Sequence, residues 1–219
     1  MKQTIELTPD NPPCIPDRDG VESSKKTIQV SDLRMEDKME TIKCIKERRS
    51  IRRFQDKKVS HEVINEIIDA ASYAPSWKNT QVTRYIVTED REKMNRIADG
   101  CVLGFEYNID TIRKAPALVI VTMIEGRSGM EKDGSATTPK GADWGVFDTG
   151  IATQTFCLAA HDKGVGTVIM GIFDENKVSE VIPVPEGQKV AALIAMGYPD
   201  EEPKAPRRKT VEDLVTYID

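Results

Sequence analysis

The spacing of apolar side chains predicts alternating helices and strands. Val63, Ile64, Ile67, Ile68 and Ala71 recur at helical intervals, Ser60 supplies an N-cap with Glu62 in the first turn, and Pro75 forbids continuation. Thr83 to Thr88 (TRYIVT) and Ala117 to Met123 (ALVIVTM) are β-branched runs that predict strands, with a charged helical stretch from Arg91 to Asp99 between them. From Val146 to Ala160, apolar residues cover nearly the whole circumference of a helix that Gly164 closes after Lys163. Such a helix must be buried, either centrally or in a subunit interface. Val165 to Met170 and Val190 to Met196 predict two further strands, and Arg207 to Asp219 a short terminal segment. Residues 125–142 (EGRSGMEKDGSATTPKGA) carry no apolar period, and a loop this long in a compact domain is functional or mobile, a possible lid.

The N-terminal stretch breaks this pattern. Residues 1–38 hold Pro9, Pro12, Pro13 and Pro16 and few large apolar side chains, which predicts an extended or disordered arm ahead of one compact domain over 39–219. Met35 and Met39 each stand as alternative starts, and a short amphipathic stretch from Thr41, with Ile42 and Ile45, opens the patterned part. At 219 residues the chain is long enough to bury a core without disulfides or a structural metal. Its 31 Lys+Arg against 36 Asp+Glu leave a formal charge of −5, which argues against a nucleic-acid partner. The longest apolar stretch, Ala115 to Ile124, is about half of the ~20 residues a membrane-crossing helix needs, and the N-terminus lacks a signal-peptide core. A soluble cytoplasmic protein with no membrane partner is expected.

Cys14, Cys44, Cys101 and Cys157 are spaced by 30, 57 and 56 positions, which forms no zinc knuckle, CxxC pair or disulfide framework. With only His61 and His161 available, the sequence argues against a His-based zinc site or a Ser-His-Asp triad, and no metal site is predicted. Catalysis in such a chain would depend on a borrowed cofactor. Three places offer binding chemistry. Arg48, Arg49, Arg52 and Arg53 surround Ser50 at a helix-to-loop junction, and Arg207-Arg208-Lys209 form a second basic cluster; together they suit one dianion, although either alone also reads as a solvated surface. Ala74 to Gln81 (APSWKNTQ) is a Pro-fixed turn able to present amides and hydroxyls, or simply a helix stop. Met170-Gly171-Ile172 follows a strand, where glycine permits close backbone approach or marks a bulge.

In this order, these motifs resemble the flavin-dependent nitroreductases over about residues 40–219. The resemblance rests on Arg48-Arg49-Ser50-Ile51-Arg52-Arg53-Phe54, on Ala74-Pro75-Ser76-x-x-Asn79-x-Gln81, on the apolar helix followed by Lys163-Gly164-Val165-Gly166-Thr167, and on Met196-Gly197-Tyr198-Pro199 with its basic tail. It implies an α+β fold, a mainly antiparallel central sheet flanked by helices, in a homodimer with two FMN molecules at its subunit interface. It implies that Arg48, Arg49 and Ser50 bind the FMN phosphate and ribityl chain, with Arg208 and a neighbour, Arg207 or Lys209, completing the phosphate site. Arg52 would face the pyrimidine edge, where a cation stabilises the charge that reduction adds. The Met170-Gly171 backbone would approach flavin N5. Pro75, Ser76 and Asn79 would reach the flavin from the neighbouring subunit, and Asn108 falls where some members contact it. Trp144 and the 125–142 loop would cover the open face, or Trp144 is core.

The implied reaction has two halves: NADPH or NADH reduces the flavin, and an electron-poor acceptor, a nitroaromatic or a quinone, then takes the electrons. No side chain is required as a nucleophile, so no separate catalytic residue is expected. Two other readings are an FMN enzyme with a different acceptor (an enone, a halogenated aromatic or oxygen) and a flavin storage or sensing protein. The sequence departs from the family at Val82, where many members carry proline. Its short stretch between the Arg91 helix and the Ala117 strand also leaves little room for the long substrate-covering helices of larger members.

Overall fold

The computed structural model describes residues 35–218, with side chains from Thr41 onward. The elements follow as α1 (Met35–Glu47), α2 (His61–Ser72), β1 (Thr83–Thr88), α3 (Arg91–Gly100), α4 (Glu106–Lys114), β2 (Ala117–Ile124), α5 (Asp143–Asp162), β3 (Gly166–Met170), α6 (Glu175–Val181) and β4 (Gln188–Gly197). The four strands form one antiparallel sheet in the order β1-β2-β4-β3. This is the expected α+β architecture.

β2 explains the layering. Ala117 to Val121 are all fully buried, because alternate side chains enter different cores. Leu118 and Ile120 join Met94, Ile97, Ile112 and Val178 from α3, α4 and α6 on one face. Val119 and Val121 join Ile64, Ile67, Phe156 and Ala160 from α2 and α5 on the other. A strand covered on both faces reads as a continuous apolar run, which is what the sequence shows there.

The caps behave as their chemistry requires. Ser60 Oγ accepts from the Val63 N–H at 3.4 Å, and Asp90 and Asp174 cap α3 and α6 in the same way. Three features depart from the expectations drawn above. α1 begins at Met35, within the segment assigned to the arm; residues 1–34 lie outside the described residues. A short helix, α4, occupies the stretch between the Arg91 helix and the Ala117 strand, where no element was assigned, and α6 is a further helix the apolar pattern did not show. Finally, α5 begins at Asp143, and Val146 and Phe147 on it are 56% and 53% exposed in a single chain.

The segment after α1 lies against the free edge of β3. Ser50 bridges Thr167, the Ile51 N–H donates to the Thr167 carbonyl at 3.0 Å, and the Gln55 N–H donates to the Tyr198 carbonyl at 2.9 Å. Glycine makes this approach possible: a Cβ at Gly166 would lie 2.8 Å from Ile51, and one at Gly197 would lie 2.5 Å from Pro116. Among the described residues, no helix is long and apolar enough to cross a membrane.

Candidate functional site

The β3 edge and the C-terminal segment bring the two basic clusters together. Arg48, Arg49, Ser50, Arg52, Lys204 and Arg208 line a cavity of about 390 Å³ with two prolines. Among the described ion pairs, none involves these five cations. The Arg48 Nε is buried without a hydrogen-bond partner, a cost that an incoming anion would offset. Convergence of unpaired guanidinium groups is the arrangement that holds a phosphate.

The individual residues sort more finely than the sequence allowed. Of the terminal cluster, Arg208 lines the cavity and Arg207 does not. Arg49 lines the cavity, and its Nη1 also donates to the Lys46 and Arg48 carbonyls at 2.6 and 2.9 Å, which ties it to the end of α1. Arg52 is held by its backbone N–H, which donates to Glu201 Oε1 at 2.5 Å, and its exposed side chain turns toward the Ser50 carbonyl at 3.5 Å. Lys204 is a contributor that sequence reasoning missed; its only signal was the basic composition of PKAPRRK.

Arg52 also borders a second cavity of about 450 Å³, formed by Phe105, Tyr107, Asn108 and the run Val168 to Ile172. Ile169 and Ile172 are 46% and 44% exposed there, and a Cβ built on Gly171 would meet no atom within 4 Å. The result is an open apolar shelf with accessible backbone at Gly171, beside Met170, whose own side chain is buried. Asn108 is buried beneath the shelf and its Nδ2 donates to the Ile172 carbonyl at 3.3 Å, so it shapes the loop after β3. Phe105 and Tyr107, 5.6 Å apart, were not foreseen because α4 was not. A cationic pocket joined through Arg52 to an apolar shelf fits a planar aromatic ring carrying an anionic tail.

Pro75 and Ser76 lie elsewhere. They line a cavity of about 330 Å³ with Ala71, Ala74, Gln81, Tyr85 and Asp148, and none of these residues borders the basic cavity. The turn Trp77–Asn79 follows, and Ser76 Oγ accepts from the Gln81 N–H at 2.9 Å. Asn79 is exposed and accepts from Gln81 Nε2 at 3.2 Å. Trp144 is half-buried, tilted against Trp77 with ring centroids 4.9 Å apart, and its Nε1 donates to Thr138 Oγ1; it belongs to this second group. The Tyr85 hydroxyl is buried here without a partner, and burial pushes its pKa up to about 12. Cys157, buried between α5 and β3, is raised for the same reason. Within one chain the two groups are thus separate, with no lining residue in common.

The nitroreductase family model matches residues 45–109 and 103–198, which include Arg48 to Arg52, Pro75 to Asn79, Asn108 and Gly171. The chain belongs to the nitroreductase family. A Methanothermobacter thermautotrophicus protein, provisionally named an NADH dehydrogenase/NAD(P)H nitroreductase, is 33% identical over 170 residues, 76% of this chain and 81% of its own length. An FMN reductase [NAD(P)H] of Bacillus subtilis is 29% identical over 191 residues, 82% of this chain and 75% of its own. Among solved structures, a nitroreductase family protein of Clostridium novyi superposes with a TM-score of 0.65 at 29% identity, covering 76% of this chain and 88% of that one. The Vibrio harveyi NADPH:FMN oxidoreductase in complex with NAD+ superposes with a TM-score of 0.68 at 25% identity, covering 82% and 77%. Lys204 and Arg208 of this nitroreductase-family chain lie beyond the matched residues, so the family model does not test the basic tail.

Proposed function

We propose that this chain is an NAD(P)H-dependent FMN oxidoreductase that works as a homodimer. The observation that carries the reading is the unpaired cationic cavity opening onto the apolar shelf at Gly171. Relatives named as an FMN reductase and an NADPH-flavin oxidoreductase support it. FMN bound there would supply hydride chemistry at N5 between NAD(P)H and an electron-poor acceptor.

The protein's own groups bind, orient and polarise. Arg48 and Arg208 hold the phosphate, with the Ser50 hydroxyl as a further donor, and Lys204 adds long-range attraction. Arg52, at the junction of the two cavities, places a cation beside the end of the ring where negative charge accumulates on reduction. Gly171 is exposed with open space around its Cβ position, which leaves its backbone N–H open to a ring lying on the shelf. Water supplies protons, and the acceptor we assign is a nitroaromatic or a quinone.

Pro75, Ser76 and Asn79 complete the site from a second copy. Exposed apolar side chains support that assembly: Ile42 and Ile45 on α1, Val146 and Phe147 on α5, and Leu214 and Ile218 near the C-terminus, from 47% to 93% exposed. Comparing FMN with riboflavin tests the reading, because riboflavin lacks the phosphate that Arg48 and Arg208 are proposed to hold. Two charge-assisted contacts at roughly 1.5–3 kcal/mol each predict FMN binding tighter by about 10²–10⁴-fold. Equal affinities would remove the basic cavity from the site.

A further inference from the structure

Both ends of the Trp77–Asn79 turn are tied to one buried carboxylate. Asp148, 3% exposed on α5, accepts through Oδ2 from the Trp77 backbone N–H at 2.9 Å and from the Ser128 hydroxyl at 2.5 Å. Ser128 is 2% exposed and lies 2.6 Å from the Thr80 hydroxyl. Its single proton goes to the carboxylate, so the hydrogen between the two hydroxyls comes from Thr80. The order is Thr80 to Ser128 to Asp148, with Trp77 arriving on the same oxygen.

Between these tethers the backbone is forced. Lys78 and Asn79 have φ of 45° and 54°, and Gln81 has 46°, a left-handed region that non-glycine residues occupy only where their surroundings over-determine it. The same carboxylate joins the turn to the loop over 125–142. Lys78 Nζ reaches Glu131 at 3.4 Å, and the Trp77 ring lies against Trp144. Asp148 borders the Pro75–Ser76 cavity and none of the residues of the basic cavity, and its hydrogen bonds run to the turn and to Ser128.

We propose that Asp148 is a positioning residue: it holds the turn in the conformation that presents Ser76 and Asn79, and it makes the turn and the 125–142 loop move as one body. This rests on the function proposed above, in which Ser76 and Asn79 reach the second copy's FMN. Acting through hydrogen bonds, Asp148 requires an acceptor oxygen at Oδ2 and no net charge there.

The test uses two readings on the full-length protein. The chain has 2 tryptophans, Trp77 and Trp144, so its tryptophan emission reports this turn and the loop packed on it. Asp148→Ala is expected to red-shift that emission in the flavin-free protein and to weaken FMN binding about ten-fold, a loss of ~1.4 kcal/mol. Asp148→Asn keeps an acceptor oxygen and is expected to restore both. If Asp148→Ala does not fold, Ser128→Ala, which cuts only the Thr80 tether, decides by the same readings with an expected loss of about three-fold (~0.65 kcal/mol). Unchanged emission and affinity in the folded variants, a lowered Tm alone, or an Asp148→Asn protein as impaired as Asp148→Ala would overturn the proposal. Wild-type protein that binds no FMN would overturn the functional reading instead, while the emission would still judge the turn.

Discussion

Replacing Gly166 with alanine puts a Cβ 2.8 Å from the Cβ and Cγ1 of Ile51 and 2.9 Å from its Cγ2. Ordinary contacts need about 3.5–4.0 Å, so Ile51 must retreat by roughly 1 Å. It cannot do so freely, because its N–H is bonded to Thr167 and its side chain is 7% exposed. Overpacking of this kind costs about 1–3 kcal/mol, which at roughly 2–4 °C per kcal/mol lowers Tm by about 2–12 °C. The segment that yields carries Arg48, Ser50 and Arg52, so FMN affinity falls along with Tm. Thermal melts and FMN titrations of Gly166→Ala, Ile51→Ala and the double variant form the assay. Ile51→Ala alone opens a cavity at about 2–5 kcal/mol, but it removes two of the three crowded atoms. The double variant is therefore less destabilised than the sum, by ~1 kcal/mol or more. Additivity within about 0.5 kcal/mol would refute the steric reasoning.

Tyr85 makes a prediction about alkaline pH. Its pKa, pushed up to about 12 by burial and secondarily by Cys157, lies above the ~10 of an unfolded chain. The associated stability is present in full below pH ~10 and is lost as pH rises to about 12. Tyr85→Phe should flatten that alkaline limb in urea melts without lowering Tm at neutral pH, since the hydroxyl it removes has no partner; a steeper limb would contradict this. Arg52→Ala should lower the bound flavin's two-electron potential by about 30–60 mV in dye-equilibrated titrations, the equivalent of ~1.4–3 kcal/mol, while leaving the fold intact. An unchanged potential would remove Arg52 from that role.

The elements legible in the sequence are those whose burial follows one period. α2 shows both an apolar stripe and the Ser60 cap, and β2 shows its continuous run. α4 was hidden because two of its three buried residues, Asn108 and Thr111, are polar and break the stripe. α6 buries only Val178, too little to make a period. The Arg run announced a cationic site, but the commitment of Arg49 to α1 depended on where that helix ends. Arg207 and Arg208 could not be told apart in an exposed tail with no period. Asp148 escaped notice because an acid within an apolar helix reads as surface until its tethers to Trp77 and Ser128 are seen.

The most direct test is an absorption spectrum of the purified protein, followed by anaerobic addition of NADPH and then NADH. Bound flavin that bleaches with either donor, and recovers faster with a nitroaromatic or a quinone than with air, is the expected result. A protein that takes up no flavin even when FMN is supplied, or whose flavin stays oxidised with both donors, would contradict the oxidoreductase reading.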